Sequence, residues 1–393
     1  MRPRSTEPLF THAFIALGIA ELSYFTALGV AIFALPLYVT GPIGGDEAGA
    51  GLAFGVFAVS ALVLRPVAGR LADVHGRLPL LVGGALIAAV SLALLALAEH
   101  LIAIVALRLL AGVAEAAFFV SGFAALADLA PAARMGEALS YNSLGLYLGI
   151  ALGPLLGQLL VGTLGFGGAW AGAAILAVLA AALSLLVGET RQGGPPEAGD
   201  RRVIHRPAIP IAVGFMTSLV AMGGFLAFAS LHAIRVGLAN PGLALFVYGA
   251  TVVVCRIVFA RVPDRVASLP LGAAALGGIA LGLVVVAIWP STTGLLLGAA
   301  ITAVGVSFST PAFFTAIFAT ASPAQRGVAA GTASAALDLG LGLGPIVLGL
   351  IAQPLGVAAA FGVGAATAGA GALWTLALYA RARRAQPAAP AEP

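Results

Sequence analysis

The sequence predicts an all-α integral membrane protein whose twelve transmembrane helices form two six-helix, pseudo-symmetric bundles. Three observations lead there. The chain is 61% hydrophobic and only 9% charged over 393 residues, with a mean hydropathy of +1.09. Its apolar segments recur at membrane-spanning length, and sparse polar residues repeat at a fixed offset between the two halves. Soluble domains carry about a quarter charged residues, so an ordinary water-exposed surface cannot be assembled from this composition. At about 20 apolar residues per span, the length accommodates roughly a dozen helices and no large soluble domain.

Apolar stretches between charged or turn-rich breaks fall at 11–39, 50–71, 79–98, 101–127, 138–161, 167–187, 208–233, 241–262, 268–289, 293–320, 328–352 and 358–380. In lipid each backbone polar group must be satisfied within its own segment, and continuous stretches of this length do so as helices rather than barrel strands. Arg2 and Arg4 ahead of the first stretch superficially suit a signal peptide. No small-residue cleavage site follows a short core, so an uncleaved first helix is expected.

All 19 basic residues other than histidine are arginine. With both termini inside, Arg2, Arg4, Arg70, Arg77, Arg134, Arg191, Arg201, Arg202, Arg206, Arg261, Arg265, Arg326, Arg381, Arg383 and Arg384 fall in cytoplasmic segments, and only Arg235 falls outside. Arg65 and Arg256 are placed near inner helix ends and Arg108 within a span. This positive-inside bias fixes the expected topology. The net charge of +4 is thus a matter of membrane orientation, and no nucleic-acid partner is implied. Segment 189–207, with Gly193-Gly194-Pro195-Pro196, divides the chain as a flexible cytoplasmic linker. The expected domains are a bundle at 1–188, a bundle at 208–380 and a disordered cytoplasmic tail at 381–393. The single cysteine, Cys255, excludes an intrachain disulfide and a cysteine metal cluster and is read as helix packing. No metal or cofactor is expected.

The halves align on one another. Arg65, Arg70 and Asp73 recur as Arg256, Arg261 and Asp264, 191 positions later. Gly149, Gly153 and Pro154 fall on Gly340, Gly344 and Pro345 at the same offset, and Pro131 and Arg134 on Pro323 and Arg326 at 192. Chance similarity of apolar helices would align Ala and Leu, not sparse Arg, Asp and Pro. A parallel six-helix duplication of this kind is a transporter design, with the substrate site between the halves near the midplane.

Three motifs carry most of the remaining information. Between the second and third spans, Gly69-Arg-Leu-Ala-Asp73-Val-His-Gly76-Arg77 offers a glycine for close helix approach and an Asp able to pair with Arg, a cluster that can latch one conformation. Asp128-Leu-Ala-Pro131 followed by Arg134 adds charge to the same face. In the fifth span, Gly145, Gly149, Gly153 and Gly157 recur every fourth residue and make a groove for a neighbouring helix, with Pro154 as a kink. These motifs, with Arg108-Leu-Leu-Ala-Gly112 in the fourth span, resemble those of the major facilitator superfamily, and point towards its twelve-helix drug or sugar efflux permeases. The likeness covers nearly the whole chain. It departs from the family pattern where Gln158 stands for a further Gly, and in the second half, where Ala260 replaces Gly and Pro263 precedes Asp264.

An ionised residue at the bilayer centre costs about 2.5–3.5 kcal/mol on insertion scales and so faces a cavity or a partner. Four qualify: Glu21, Arg108, Glu115 and Asp338. Glu21 lies roughly 16 Å and Glu115 roughly 20 Å from their inner helix ends at 1.5 Å per residue. Arg108 and Glu115, seven apart, share a helix face. In the family resembled, the first, fourth, seventh and tenth helices line the central cavity, which would turn Glu21, Arg108 and Glu115 towards each other and towards substrate. A carboxyl caught between desolvation and Arg108 suits proton coupling; a static Glu–Arg pair holding two helices together is the plainer alternative. Asp338, at the position equivalent to Tyr147, fits a second proton site, a substrate ligand or a helix-helix hydrogen bond.

The function this implies is a secondary transporter, proton-coupled, exporting a small lipophilic, sugar-like or metabolite substrate by alternating access. Its expected partners are the lipid bilayer, protons and that substrate, and a monomer is expected. The alternatives are import by the same fold and, from another class, a membrane sensor. No HExxH or GxxxxGK[ST] sequence supports an enzyme or an ATP-driven pump. Alanine richness without lysine suggests a GC-rich bacterial genome, hence the bacterial cytoplasmic membrane.

Overall fold

The structure is a computed structural model that describes residues 9–131, 134–191, 204–322 and 325–385. Arg2, Arg4, Arg201, Arg202, Pro323, most of the expected linker and the tail from Gln386 onward lie outside the described residues, as does the side chain of Asp264. The described residues form helices and connecting turns without a strand. In order they are α1 (His12–Thr40), α2 (Glu47–Gly55), α3 (Phe57–His75), α4 (Leu78–Leu95), α5 (Leu101–Leu129), α6 (Met135–Val187), α7 (Ile209–Arg235), α8 (Gly242–Val258), α9 (Val262–Arg265), α10 (Ser268–Ile288), α11 (Thr292–Phe318), α12 (Arg326–Leu355) and α13 (Val357–Ala385).

Among the described residues ten helical segments are long and apolar enough to cross a membrane. One of them, Tyr141–Val187, lies within α6, which is 53 residues long and broken at Gly165, where φ is +70°. Counting its two limbs, 135–164 and 166–187, separately and adding the 17-residue α8 gives twelve segments, consistent with the expected twelve crossings. Several edges differ from expectation. The second span is two helices meeting at Val56: Gly49, Gly51 and Gly55 weaken helical continuity there, since glycine gives up the most conformational freedom in a helix. α3 then runs on to His75, so Gly69 and Asp73 sit in its last turns rather than in a loop, and Asp128 likewise ends α5. α8 stops at Val258, and Arg261 and Asp264 belong to the short turn around α9. α13 continues through Arg381, Arg383 and Arg384, five residues beyond the expected edge of the bundle.

Each half packs on itself. α1 lies along α6, and α5 against α3 and α4; α7 lies against α12 and α13, and α10 against α11 and α13. The two halves meet along three lines, α2 and α3 with α12, α6 with α8, and α1 with α7, as a pseudo-twofold requires. Connecting turns alternate between two faces. One carries Arg77, Arg134, Arg191, Arg206, Arg261, Arg265 and Arg326; the other carries Asp46, Glu47, Glu99, His100 and Arg235.

Small residues set how closely helices approach. A Cβ on Gly149 would come within 2.7 Å of the Phe25 backbone, one on Gly153 within 2.5 Å of the Gly29 Cα, one on Gly145 within 3.0 Å of the Gly18 carbonyl and one on Gly157 within 3.1 Å of the Val30 carbonyl. The groove expected in this helix therefore receives α1. Gly69 behaves differently: its nearest neighbour would be a Val120 methyl at 3.9 Å, ordinary contact. The close approach expected there is not present in this conformation.

Candidate functional site

The seam between the halves holds a cluster of charge. Arg65 on α3 and Asp338 on α12 form a two-contact ion pair, Nε to Oδ2 at 2.6 Å and Nη2 to Oδ1 at 2.8 Å, with the Asp338 side chain 2% exposed. Paired N–H donors matching a carboxylate make this the strongest geometry such groups have. The Arg65 guanidinium also lies 4.7 Å from the Phe119 ring centroid. Glu115 on α5 accepts from the Tyr24 hydroxyl at 3.3 Å and lies within Coulomb reach of Arg65, Asp338 and Arg108. Tyr24 is held by stacking on Phe118, centroids 3.9 Å apart.

Arg108 is buried, but it is not ion-paired with Glu115. Its Nε donates to the Ala53 carbonyl at 3.0 Å and its Nη2 to the Phe54 carbonyl at 3.3 Å, and its guanidinium rests 4.8 Å from the Phe57 ring centroid. These carbonyls lie at the α2–α3 break, so the guanidinium takes the place of helix hydrogen bonds. Glu21 stands apart: it is buried, hydrogen-bonded to Asn142 and packed against Gly122. Three of the four expected charges thus gather with Arg65, and Glu21 does not join them. The expected convergence of Glu21, Arg108 and Glu115 is corrected accordingly, because each takes a different polar partner.

Arg65 was expected near the inner end of its helix. It sits ten residues before His75, roughly 15 Å along α3 at 1.5 Å per residue, deep in the seam. Its repeat mate Arg256 on α8 reaches the other line of contact, where Nη2 donates to the Tyr147 hydroxyl at 2.8 Å and the guanidinium lies 4.2 Å over the Tyr147 ring. Tyr147 and Asp338 are themselves 191 positions apart. The two contacts are therefore related by the repeat, one made to a carboxylate and the other to a phenol.

A cavity of about 380 Å³ lies between α6, α8 and α11 on the arginine-rich side of the seam, bordered by Tyr141, Arg256, Phe259, Ser307, Phe308 and Pro311 among others. Cys255, read from the sequence as packing, also borders it. On the opposite face the seam is closed. Arg235 pairs with Glu47, Gln353 donates to Asp46 at 2.6 Å, and Gln158 donates to Asn240 at 2.9 Å while accepting from the Gly242 N–H at 2.6 Å. A Cβ on Gly51 or Gly55 would overlap carbonyls of α12. Sequence reasoning named Gln158 only as a departure from the glycine motif, and that departure was the signal for a residue that crosses the seam.

The arginine-rich face carries a second network within the first half. Arg77 donates to Asp73 at 2.8 Å and to Asp128 at 3.2 Å, and Thr190 donates to Asp128 at 3.1 Å. Glu189, which the sequence reading left in the linker, accepts from the backbone N–H groups of Arg77 at 2.9 Å, Leu78 at 3.2 Å and Arg191 at 2.9 Å. It caps the start of α4, where a negative charge is favoured. Partial burial alone would raise its carboxyl, but these N–H groups and the Arg77 guanidinium outweigh that and hold it below the ordinary glutamate range. Gly76, at φ +97°, lets the chain turn there, and a Cβ on it would strike the Glu189 carboxylate. Arg134 lies at the start of α6. Among the described residues no three His, Cys, Asp or Glu side chains converge to hold a metal ion.

Comparison with known proteins agrees with this architecture. The family model of the Major Facilitator Superfamily matches residues 17–294. An uncharacterized MFS-type transporter of Salmonella typhimurium is 30% identical over 365 residues, covering 88% of this chain and 91% of that one. A POT family transporter solved with a thioalcohol-conjugated peptide superposes with a TM-score of 0.79 at 13% identity, over 94% of this chain and 96% of that one. A bacterial homolog of the human lysosomal transporter Spinster, inward-facing and unoccupied, does so with a TM-score of 0.71 at 16% identity, over 98% and 100%. At these identities the structural likenesses speak for the fold alone. With a family model matched over most of its length and a full-length relative at 30% identity, the chain belongs to the major facilitator superfamily of membrane transporters.

Proposed function

We propose that the protein is a proton-coupled exporter of a small molecule, working by alternating access in the bacterial cytoplasmic membrane as a monomer. Both termini and the arginine-rich face lie in the cytoplasm on this reading, in line with the positive-inside rule. The halves 1–188 and 208–380 rock against one another about the linker 189–207. The seam is closed on the arginine-poor face while the cavity lies on the arginine-rich side, which is the arrangement of an inward-facing state.

The observation that carries the proposal is the cluster of Arg65, Arg108, Glu115 and Asp338. Two guanidinium groups and two carboxylates balance when both acids are ionised. A proton arriving from outside neutralises one acid and leaves an excess cation in a low-dielectric seam, where unbalanced charge is costly. Loosening of the closed, arginine-poor face admits water and relieves that cost, and release of the proton to the cytoplasm restores the balance and lets that face close again. Glu115 and Asp338 act as proton acceptors, Arg65 and Arg108 set the balance, and Glu21 with Asn142 is a third protonation site within the first half. Asp73, Arg77 and Asp128, with Glu189, form the cytoplasmic gate; Arg134 and Asp264 belong to the same gating face.

Proteoliposomes carrying a trapped pH dye test this. Under an imposed pH gradient, addition of a transported substrate is expected to accelerate proton movement in the wild type but not in Glu115→Gln or Asp338→Asn. Substrate uptake with no accompanying proton flux would identify a uniporter and remove the coupling role from both acids.

A further inference from the structure

The repeat leaves one cation uncompensated. Arg65 meets Asp338, whereas its mate Arg256 meets Tyr147. Among the described residues Arg256 has a single hydrogen bond, to the Tyr147 hydroxyl, and no carboxylate within ion-pair distance; its Nε is buried without a partner. This guanidinium borders the cavity, where Phe259, Phe308 and Pro311 supply apolar wall and Ser307 a hydroxyl. A half-buried cation with a single hydrogen bond, bordering an empty volume, is a ready receptor for an anion, since a carboxylate would supply the missing charge and accept from the guanidinium edge. A volume of about 380 Å³ falls in the range of small-molecule sites.

We propose that this cavity binds a small organic anion, its carboxylate on Arg256 and its apolar body against Phe259, Phe308 and Pro311. Tyr147 holds the guanidinium in place by stacking and hydrogen bonding, and leaves it unneutralised because a phenol stands where the other half has Asp338. The bound anion is transported cargo only if the exporter reading above holds. Binding at equilibrium needs no proton movement, so the two can fail separately: anion binding without proton flux leaves this site standing, and proton flux without anion binding leaves the transporter standing.

The test uses radiolabelled 2-naphthoate and its uncharged analogue 2-naphthalenemethanol, with full-length protein in nanodiscs of phosphatidylcholine. Saturable naphthoate binding is expected in the wild type, with the alcohol weaker by about tenfold or more, the worth of one charge-assisted hydrogen bond. Arg256→Gln is expected to reduce naphthoate to the level of the alcohol. Tyr147→Asp, which gives Arg256 an internal carboxylate as Asp338 does for Arg65, is expected to do the same while leaving the cavity lined as before. Equal binding of the two probes, no saturable binding, or naphthoate binding that survives both substitutions would overturn the proposal. So would loss of naphthoate binding when phosphatidylglycerol replaces part of the phosphatidylcholine, because the site would then hold a lipid headgroup.

Discussion

Arg65 and Arg256 occupy equivalent places in the two halves of the molecule, yet among the described residues Arg65 alone of the two faces a carboxylate, Asp338, at 2.6 Å. The equivalent acceptor for Arg256 is the Tyr147 hydroxyl at 2.8 Å. One line of contact between the halves thus rests on a carboxylate, and the other on a phenol. A duplicated scaffold has become electrically asymmetric at the place where its halves meet.

Breaking the ion pair on one side only is expected to be more harmful than removing it altogether. Arg65→Met or Asp338→Leu leaves a charge buried without its partner, which costs about 3–5 kcal/mol in comparable pairs. Each single variant should unfold at lower temperature in detergent, and the double variant should recover most of the loss. Additive losses in the double variant would mean that the two groups do not stabilise one another.

Glycines of similar appearance are expected to differ sharply. Gly153→Val drives a side chain into the Gly29 backbone, where a Cβ already comes within 2.5 Å, and overpacking of this kind typically costs about 1–3 kcal/mol. Gly69→Ala, with only Val120 at 3.9 Å, should fold with wild-type stability. Thermal unfolding of the two variants side by side checks the contrast. A loss of transport in folded Gly69→Ala would place the close approach in another conformation of the cycle.

The Glu189 cap on α4 should respond to acid in a defined direction. Its carboxyl is held below the ordinary value of 4.5, so the stabilisation is fully present above that value and is lost as pH falls through the lowered one. Hydrogen exchange at the amides of Arg77 and Leu78 is expected to stay slow at neutral pH and to lose relative protection in strong acid. Glu189→Gln should weaken that protection at neutral pH and abolish its acid dependence. Unchanged protection in the variant would mean that the backbone there is held by α4 alone.

The spans, the arginine asymmetry and the glycine groove are legible in the sequence because each is periodic or compositional. The seam is not, because it depends on which residues of distant segments face each other. Arg65 reads as an anchor when only its distance from a charged turn is counted, and Arg108 reads as a partner of Glu115 when only helix phase is counted. The break at Val56, which offers Arg108 two carbonyls, is visible only as a scatter of glycines. The repeat did hold the missing information: Arg65 with Arg256 and Tyr147 with Asp338 share an offset of 191, so one contact across the seam implies the other.

Closure of the arginine-poor face should be obligatory for one half of the cycle and forbidden in the other. Gln353 and Asp46 touch across it at 2.6 Å, so Asp46→Cys with Gln353→Cys, in a Cys255→Ser background, should be joined by a short bismaleimide. The joined protein is expected to lose transport and to keep its cavity accessible from the arginine-rich side. Full transport after complete joining would show that this face does not open.

The central claim is that protonation of the seam acids loosens the closed face. Spin labels at Leu97 and Ile288, both exposed near that face and on opposite halves, report its width by pulsed electron resonance in nanodiscs. Between neutral and acidic pH the account predicts growth of a longer distance in the wild type and no pH response in the combined Glu115→Gln, Asp338→Asn protein. An unchanged distance distribution in the wild type, or the same shift in the variant, would contradict it.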